Sequence, residues 1–308
     1  MFVARGVVVS LAFFAVTYAT LSCLLGSAWR VMQRMRRNKA VSSPGLIFGL
    51  RIFPFALSTL VAVFFTFPSF WLMERRSLDE DKTTFFLAAC TLVLLGVGIV
   101  RSLRATRLTS RAVTQWLSTS SGATEANAAT LSAAKGAPAL MLVGVCRPKV
   151  MFSDGATAVL SANELRVAIR HELGHRRSLD NLKKLLINAT PFPGLSGLER
   201  SWREAAELAA DDSAVESRQD ALDLATALIK LSRSANQWTE PELASGLVCS
   251  SSAITVRVQR LLEWRAGTRL QRTRPWALLS VLIVGTAIAS NYGIALVLTH
   301  RLTELLVP

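Results

Sequence analysis

The sequence predicts a mainly α membrane protein: four transmembrane helices, with a cytoplasmic α+β domain between spans 3 and 4. Three observations carry this reading. Hydrophobic residues make up 51% of the 308, and the mean hydropathy of +0.37 is high for a soluble chain. The apolar residues gather in runs long enough to cross a bilayer as helices, and arginines crowd particular ends of those runs. The long polar stretch before the last run carries a hairpin pattern followed by amphipathic helices. The expected organisation is a membrane domain over 1–105, a cytoplasmic domain over 106–274, a fourth span over 275–299 and a short external tail over 300–308.

The first run, Gly6 to Trp29, is uncharged and outlasts the short apolar core of a cleaved signal peptide, so it reads as a retained span. Arg30, Arg34, Arg36, Arg37 and Lys39 follow it, whereas only Arg5 precedes it. The positive-inside rule then puts this loop in the cytoplasm and the N-terminus outside. Ile52 to Leu72 is the second span, with Arg51 at its cytoplasmic end and Pro54 and Pro68 marking bends. Thr83 to Val100 is the third, returned to the cytoplasm by Arg101, Arg104, Arg107 and Arg111. Leu117 to Ala137 is rich in Ser, Ala and Thr and reads as a weak helix or a connection.

Ala139 to Val145 and Lys149 to Ser153 read as a β-hairpin around Cys146, Arg147 and Pro148. Its edge, at Val145, Cys146 and Arg147, is the expected place for an extended polypeptide to pair. A helix then begins at Ala162. Ser161 and Glu164 form a capping box, and Leu160 and Leu165 a hydrophobic staple across it. The stretch from Asn188 to Ser201, with Pro191, Pro193, Gly194 and Gly197, reads as a loop. Helices follow from Trp202, over Ala221 to Leu231 and over Ile254 to Trp264, before the fourth span from Pro275 to Thr299.

The helix from Ala162 carries His171-Glu172-Leu173-Gly174-His175, which holds two of the three histidines in the chain. Side chains four apart share a helix face, so His171 and His175 can offer two imidazoles to one tetrahedral metal, zinc by preference. Glu172 stands about 100° round the helix, where it can act as a general base. Two imidazoles do not complete such a site. Glu207, on the next helix, is the candidate third ligand, with Asp211 one turn later to orient an imidazole. Glu199, Glu204, Asp212 and Glu216 lie nearby, so a plain acidic helix face is the competing reading.

The set Arg147-Pro148-Lys149-Val150, Glu164-Leu165, His171 to Arg177 with Asp180, and Glu207 with Asp211 resembles the BlaR/MecR-type membrane zinc peptidases. It is also similar to the related HtpX and CAAX-prenyl-protease group. The resemblance covers most of the chain. It implies a zincin-like (gluzincin) peptidase domain with one Zn2+ on His171, His175 and Glu207, Glu172 as base, and Asp211 hydrogen-bonded to a zinc histidine. Asp180 matches an aspartate of the family motif and reads as structural. The implied location is the bacterial inner membrane. The implied partners are the lipid bilayer and a polypeptide substrate, either a cytoplasmic repressor or a membrane protein. The receptors carry a large extracellular penicillin-binding sensor after their last span, and this chain stops at Pro308. Any signal is therefore expected through a partner, the short outer loops or the membrane, a homo-oligomer or a separate sensor subunit being the partners considered.

The expected function is regulatory metalloendopeptidase activity at the cytoplasmic side. A membrane-protein quality-control peptidase and a non-catalytic zinc scaffold are the alternatives, and an intact Glu172 speaks against the scaffold. The net charge of +14 does not indicate nucleic-acid binding, because the basic residues follow the ends of spans and no aromatic-interleaved basic motif accompanies them. Cys23, Cys90, Cys146 and Cys249 are too scattered for a disulfide framework and read as packing residues.

Overall fold

A computed structural model describes residues 2–35, 43–73, 82–118, 130–131, 140–145, 148–234, 244–246, 251–265 and 292–306. The chain divides into two units. One comprises Met1–Ile99, Ala189–Arg200 and Gln271–Pro308; the other comprises Val100–Asn188 and Ser201–Leu270. The inclusion of Ala189–Arg200 with the apolar helices was not expected from the sequence.

The first unit is built on α1 (Phe2–Met35), α2 (Pro44–Val61), α3 (Phe67–Met73) and the first half of α4 (Lys82–Ser118). Three stretches, Phe2–Met35, Pro44–Met73 and Lys82–Gln115, are long and apolar enough to cross a membrane. Phe64, Trp71, Leu92, Val93 and Val100 are exposed on them, as lipid-facing positions would be. Cys23 and Cys90 are also exposed, not packed as expected.

A π-helical segment, Ala62–Thr66, joins α2 to α3. Its cause lies four residues ahead of Phe64. Pro68 has no N–H to give the Phe64 carbonyl, and the Tyr292 hydroxyl donates to that oxygen instead at 2.8 Å. Tyr292 opens the last described helix, Tyr292–Leu306. That helix runs well past Thr299, where the fourth span was expected to give way to a tail; most of that span lies outside the described residues.

The core of this unit is aromatic: Phe14 and Tyr18 of α1, with Phe55, Leu94 and Phe192 around them. Phe192 belongs to the Ala189–Arg200 segment, which is fastened here by polar contacts as well. The Tyr18 hydroxyl donates to the Thr190 carbonyl at 3.1 Å. Arg51, fully buried, donates from Nε and Nη2 to Glu199 Oε1 at 3.0 and 2.8 Å, and from Nη2 to the Thr190 carbonyl at 2.8 Å. Gly98 brings α4 against the Ala189 carbonyl, which an added Cβ would strike.

These contacts explain why the helix expected from Trp202 begins earlier. Helix α8 covers Ser196–Ala214, and Glu199 in its first turn is held by Arg51. Of the Pro and Gly residues that read as a loop, Pro193 and Gly194 form a short 3-10 turn, Pro193–Leu195, and Gly197 lies in the first turn of α8.

The second unit places a small sheet against helices. Strands β2 (Leu140–Val143) and β3 (Lys149–Phe152) form the expected antiparallel hairpin. The short strands β1 (Thr130–Leu131) and β4 (Ala244–Gly246) flank it in the order β1-β3-β2-β4. A short helix α5 (Asp154–Val159), capped by Ser153, follows the hairpin. Helix α6 (Ala162–Ser178) has both halves of the capping box: Ser161 accepts from the Glu164 N–H, and Glu164 accepts from the Ser161 N–H at 2.7 Å. Helix α7 is Asp180–Ala189, α9 is Arg218–Ser234 and α10 is Ser251–Leu262. The core joins Leu140, Leu142 and Val150 of the sheet to Val167 and Ala168 of α6 and Ala221, Leu224 and Leu228 of α9. Ala168, His171 and His175 are all buried, so the inward face of α6 is the one the spacing predicts.

Candidate metal centre

Helix α6 puts His171 and His175 one above the other, their Nε2 atoms 3.2 Å apart. Glu207 of α8 faces both. Its Oε2 lies 3.6 Å from His171 Nε2, and its Oε1 lies 3.5 Å from His175 Nε2. His171, His175 and Glu207 can each present one ligand atom within 4.8 Å of the others, which suits a single metal ion. Glu204, the alternative one turn earlier on α8, is exposed.

Close approach of α6 and α8 depends on the glycine inside the histidine motif. A Cβ on Gly174 would collide with Ser213 Oγ and stand 3.3 Å from Ala210 Cα. Any larger residue would push Glu207's helix away from the imidazoles.

The other ring nitrogens are also held. His171 Nδ1 lies 2.9 Å from Asp211 Oδ1, and His175 Nδ1 lies 2.7 Å from Asp180 Oδ2. The Asp180 bond fixes the His175 ring with Nε2 toward the shared space, while the Asp211 carboxylate stands beside His171 Nδ1 as a close charge contact. Asp180 reaches back because Leu179, the C-cap of α6, takes a left-handed conformation at φ 55°. For a branched, non-glycine residue this turn costs on the order of 1–2 kcal/mol. Asn181 then ties the start of α7 to the hairpin, donating from Nδ2 to the Leu142 and Gly144 carbonyls at 3.2 and 2.9 Å. Asp180, expected as structural, is thus the partner of one histidine and Asp211 the partner of the other.

Arg257, not among the residues the sequence motifs single out, also joins the cluster. It is 3% exposed. Its Nε and Nη2 donate to the two oxygens of Asp211 at 2.8 and 2.7 Å, and its Nη1 donates to Glu207 Oε2 at 3.0 Å. A signal was present: Ile254, Arg257 and Leu261 follow the i, i+3, i+7 rhythm, and all three are buried. An arginine on the apolar stripe of an amphipathic helix needs a buried acid.

Electrostatics follow from this crowding. Among the described residues, Glu172, Asp180, Glu207 and Asp211 bring four largely or wholly buried carboxylates to the cluster, with Arg257 paired to Glu207 and Asp211 and Lys183 to Asp180. Burial alone would lower the His175 pKa, but the charge of Glu207 and hydrogen bonds to Asp180 and Glu207 raise it to about 10. His171 is raised in the same way against its burial, through Asp211 and Glu207. Burial would raise the Glu207 and Asp211 carboxyls; the imidazoles and Arg257 outweigh it and hold both below the usual range.

Of the hairpin positions expected to bind an extended chain, Val145 stands in the bend after β2, and Cys146 and Arg147 lie outside the described residues. Among the described residues, β1 pairs with Val150 and Met151 of β3, and β4 pairs with Met141, Leu142 and Val143 of β2. Compared with protein-family models and with curated proteins, the chain matches none of them.

Proposed function

We propose that this chain is a membrane-anchored zinc metalloendopeptidase that hydrolyses peptide bonds on the cytoplasmic side of a bacterial inner membrane. Regulatory proteolysis of the kind implied by the resemblance to BlaR/MecR-type peptidases is the role it fits best. The observation that carries the proposal is the convergence of His171, His175 and Glu207 within 4.8 Å, beside a buried Glu172. Three ligands of this kind leave a coordination position open, as catalytic zinc sites do and structural ones do not.

Zinc held by these side chains would supply a Lewis acid that acidifies water and polarises a carbonyl. The chain's own residues do the rest. With a metal bound, Asp180 and Asp211 beside the Nδ1 atoms would favour the tautomers that leave Nε2 of His175 and His171 for the ligand role. Glu172 follows His171 directly and is fully buried. Its carboxylate takes a proton from the attacking water and passes it to the leaving amine, so its charge is restored at each turnover. The apolar helices hold the unit at the membrane, which restricts its polypeptide substrates to those that come to that surface.

Glu172→Gln keeps the shape of the side chain and removes the proton acceptor. The variant should hold zinc as the wild type does and lose about 10²–10⁴-fold in cleavage of an unfolded polypeptide such as casein. Equal cleavage by the two proteins, assayed purified in detergent, would sink the enzyme reading in favour of a zinc-held scaffold.

A further inference from the structure

Two carboxylates stand one turn apart on α8, both within reach of the histidines, yet they are not equivalent. Arg257 makes the difference. Its guanidinium is a planar fork with donors fixed relative to one another. The edge formed by Nε and Nη2 takes both oxygens of Asp211, at 2.8 and 2.7 Å. The remaining nitrogen, Nη1, takes one oxygen of Glu207, Oε2, at 3.0 Å. Asp211 is therefore committed at both oxygens, and its Oδ1 also meets His171 Nδ1. Glu207 is committed to Arg257 at one oxygen, while its Oε1 lies on the His175 Nε2 side.

We propose that Arg257 is the positioning residue that sorts these two acids, making Glu207 a metal ligand through one oxygen and keeping Asp211 out of the coordination sphere as the orienter of His171. This inference rests on the metal reading above and adds the rule by which the ligand is chosen. Without the fork, Glu207 would be free to present both oxygens and Asp211 to swing toward the ion. Either change raises the coordination number and closes the position that water and substrate need. The fork's own seat is firm: one turn further along α10, Arg260 donates to Asp212 of α8 at 2.9 Å, pinning the two helices in register.

The test separates the fork from its charge. Arg257→Lys keeps the charge and loses the planar geometry, whereas Arg257→Gln loses both. Each full-length variant is purified in detergent, stripped of metal and titrated with Co2+, whose visible absorption is intense when four-coordinate and weak when the coordination number rises. Zinc affinity is measured alongside by competition with a chromophoric chelator. The wild type should give the intense band. Both variants should give a weaker band, with zinc bound about 10–100-fold less tightly, as for loss of other groups that orient metal ligands. If Arg257→Gln fails to fold, Arg257→Lys alone decides. A wild-type cobalt spectrum and zinc affinity in Arg257→Lys would show that charge alone suffices, and the proposal falls while the metal reading stands. A wild type that takes up neither cobalt nor zinc would sink the metal reading and this proposal together.

Discussion

Two buried arginines of this chain each meet a glutamate of α8, and they do opposite things. Arg51 meets Glu199 in the first turn of the helix; Arg257 meets Glu207 two turns later. Around Arg51 the account is closed: one cation, one acid, and the Thr190 carbonyl and hydroxyl to take further N–H groups. Around Arg257 the described residues bring Glu207 and Asp211 together with the two imidazoles of α6. A buried pair of one arginine and one glutamate fixes a segment in place. A cluster in which two imidazoles and a carboxylate converge is one that could hold a metal ion. The same residue types on the same helix thus serve structure at one end and candidate chemistry at the other.

The largest expected effect breaks the pair of Arg51 and Glu199. Glu199→Gln leaves Arg51 buried without its counter-charge, and such a loss costs about 3–5 kcal/mol. Thermal unfolding in detergent should show it as a large fall in melting temperature that added zinc does not repair. Arg51→Met with Glu199→Met removes both charges and should recover part of the loss. A Glu199→Gln protein as stable as the wild type would mean that Arg51 is neutralised by something else.

A smaller effect is expected at the Arg257 end. Asp211→Asn leaves a neutral group beside His171 Nδ1 and takes a charge from Arg257, so zinc affinity should weaken about 10–100-fold. Chelator competition measures it, and an unchanged affinity would remove Asp211 from the role of orienter.

The smallest effect sharpens the comparison from outside both clusters. Burial would raise the Glu164 carboxyl, but hydrogen bonds to Lys230 and to the Ser161 N–H outweigh that and lower its pKa below the usual 4.5. A lowered folded pKa gives stability that is present above pH 4.5 and lost as pH falls through the lower folded value. Glu164→Gln keeps an acceptor for the Ser161 N–H and loses the charge that meets Lys230, so it should cost at most about 1 kcal/mol at neutral pH. It should also remove that part of the acid dependence of unfolding. An unaltered acid limb in the variant would contradict the assignment.

The parts that were legible in the sequence are those with local causes. The four-residue spacing of His171 and His175, the capping box at Ser161 and the β2–β3 hairpin each follow from neighbours along the chain, and each stands as read. Glu207 was legible only as one of several acids, because its choice depends on how α8 packs on α6, which Gly174 permits. Arg257 was passed over, though its place on an apolar helix stripe was visible, because nothing in the order of residues says which acid an arginine on another helix will meet. The loop read over Asn188 to Ser201 is real only from Thr190 to Leu195, and its ends belong to α7 and α8. Its prolines and glycines describe the local backbone, while its burial is decided by Tyr18, Arg51 and Phe55, far away in sequence.

The most direct test of the metal centre is elemental analysis of the purified chain, wild type beside Glu207→Gln and Glu204→Gln. The ligand set of His171, His175 and Glu207 predicts about one zinc per chain in the wild type and in Glu204→Gln, whose side chain is exposed, and a marked loss in Glu207→Gln. Zinc retained in Glu207→Gln but lost in Glu204→Gln, or no metal in the wild type after supply of zinc, would contradict it.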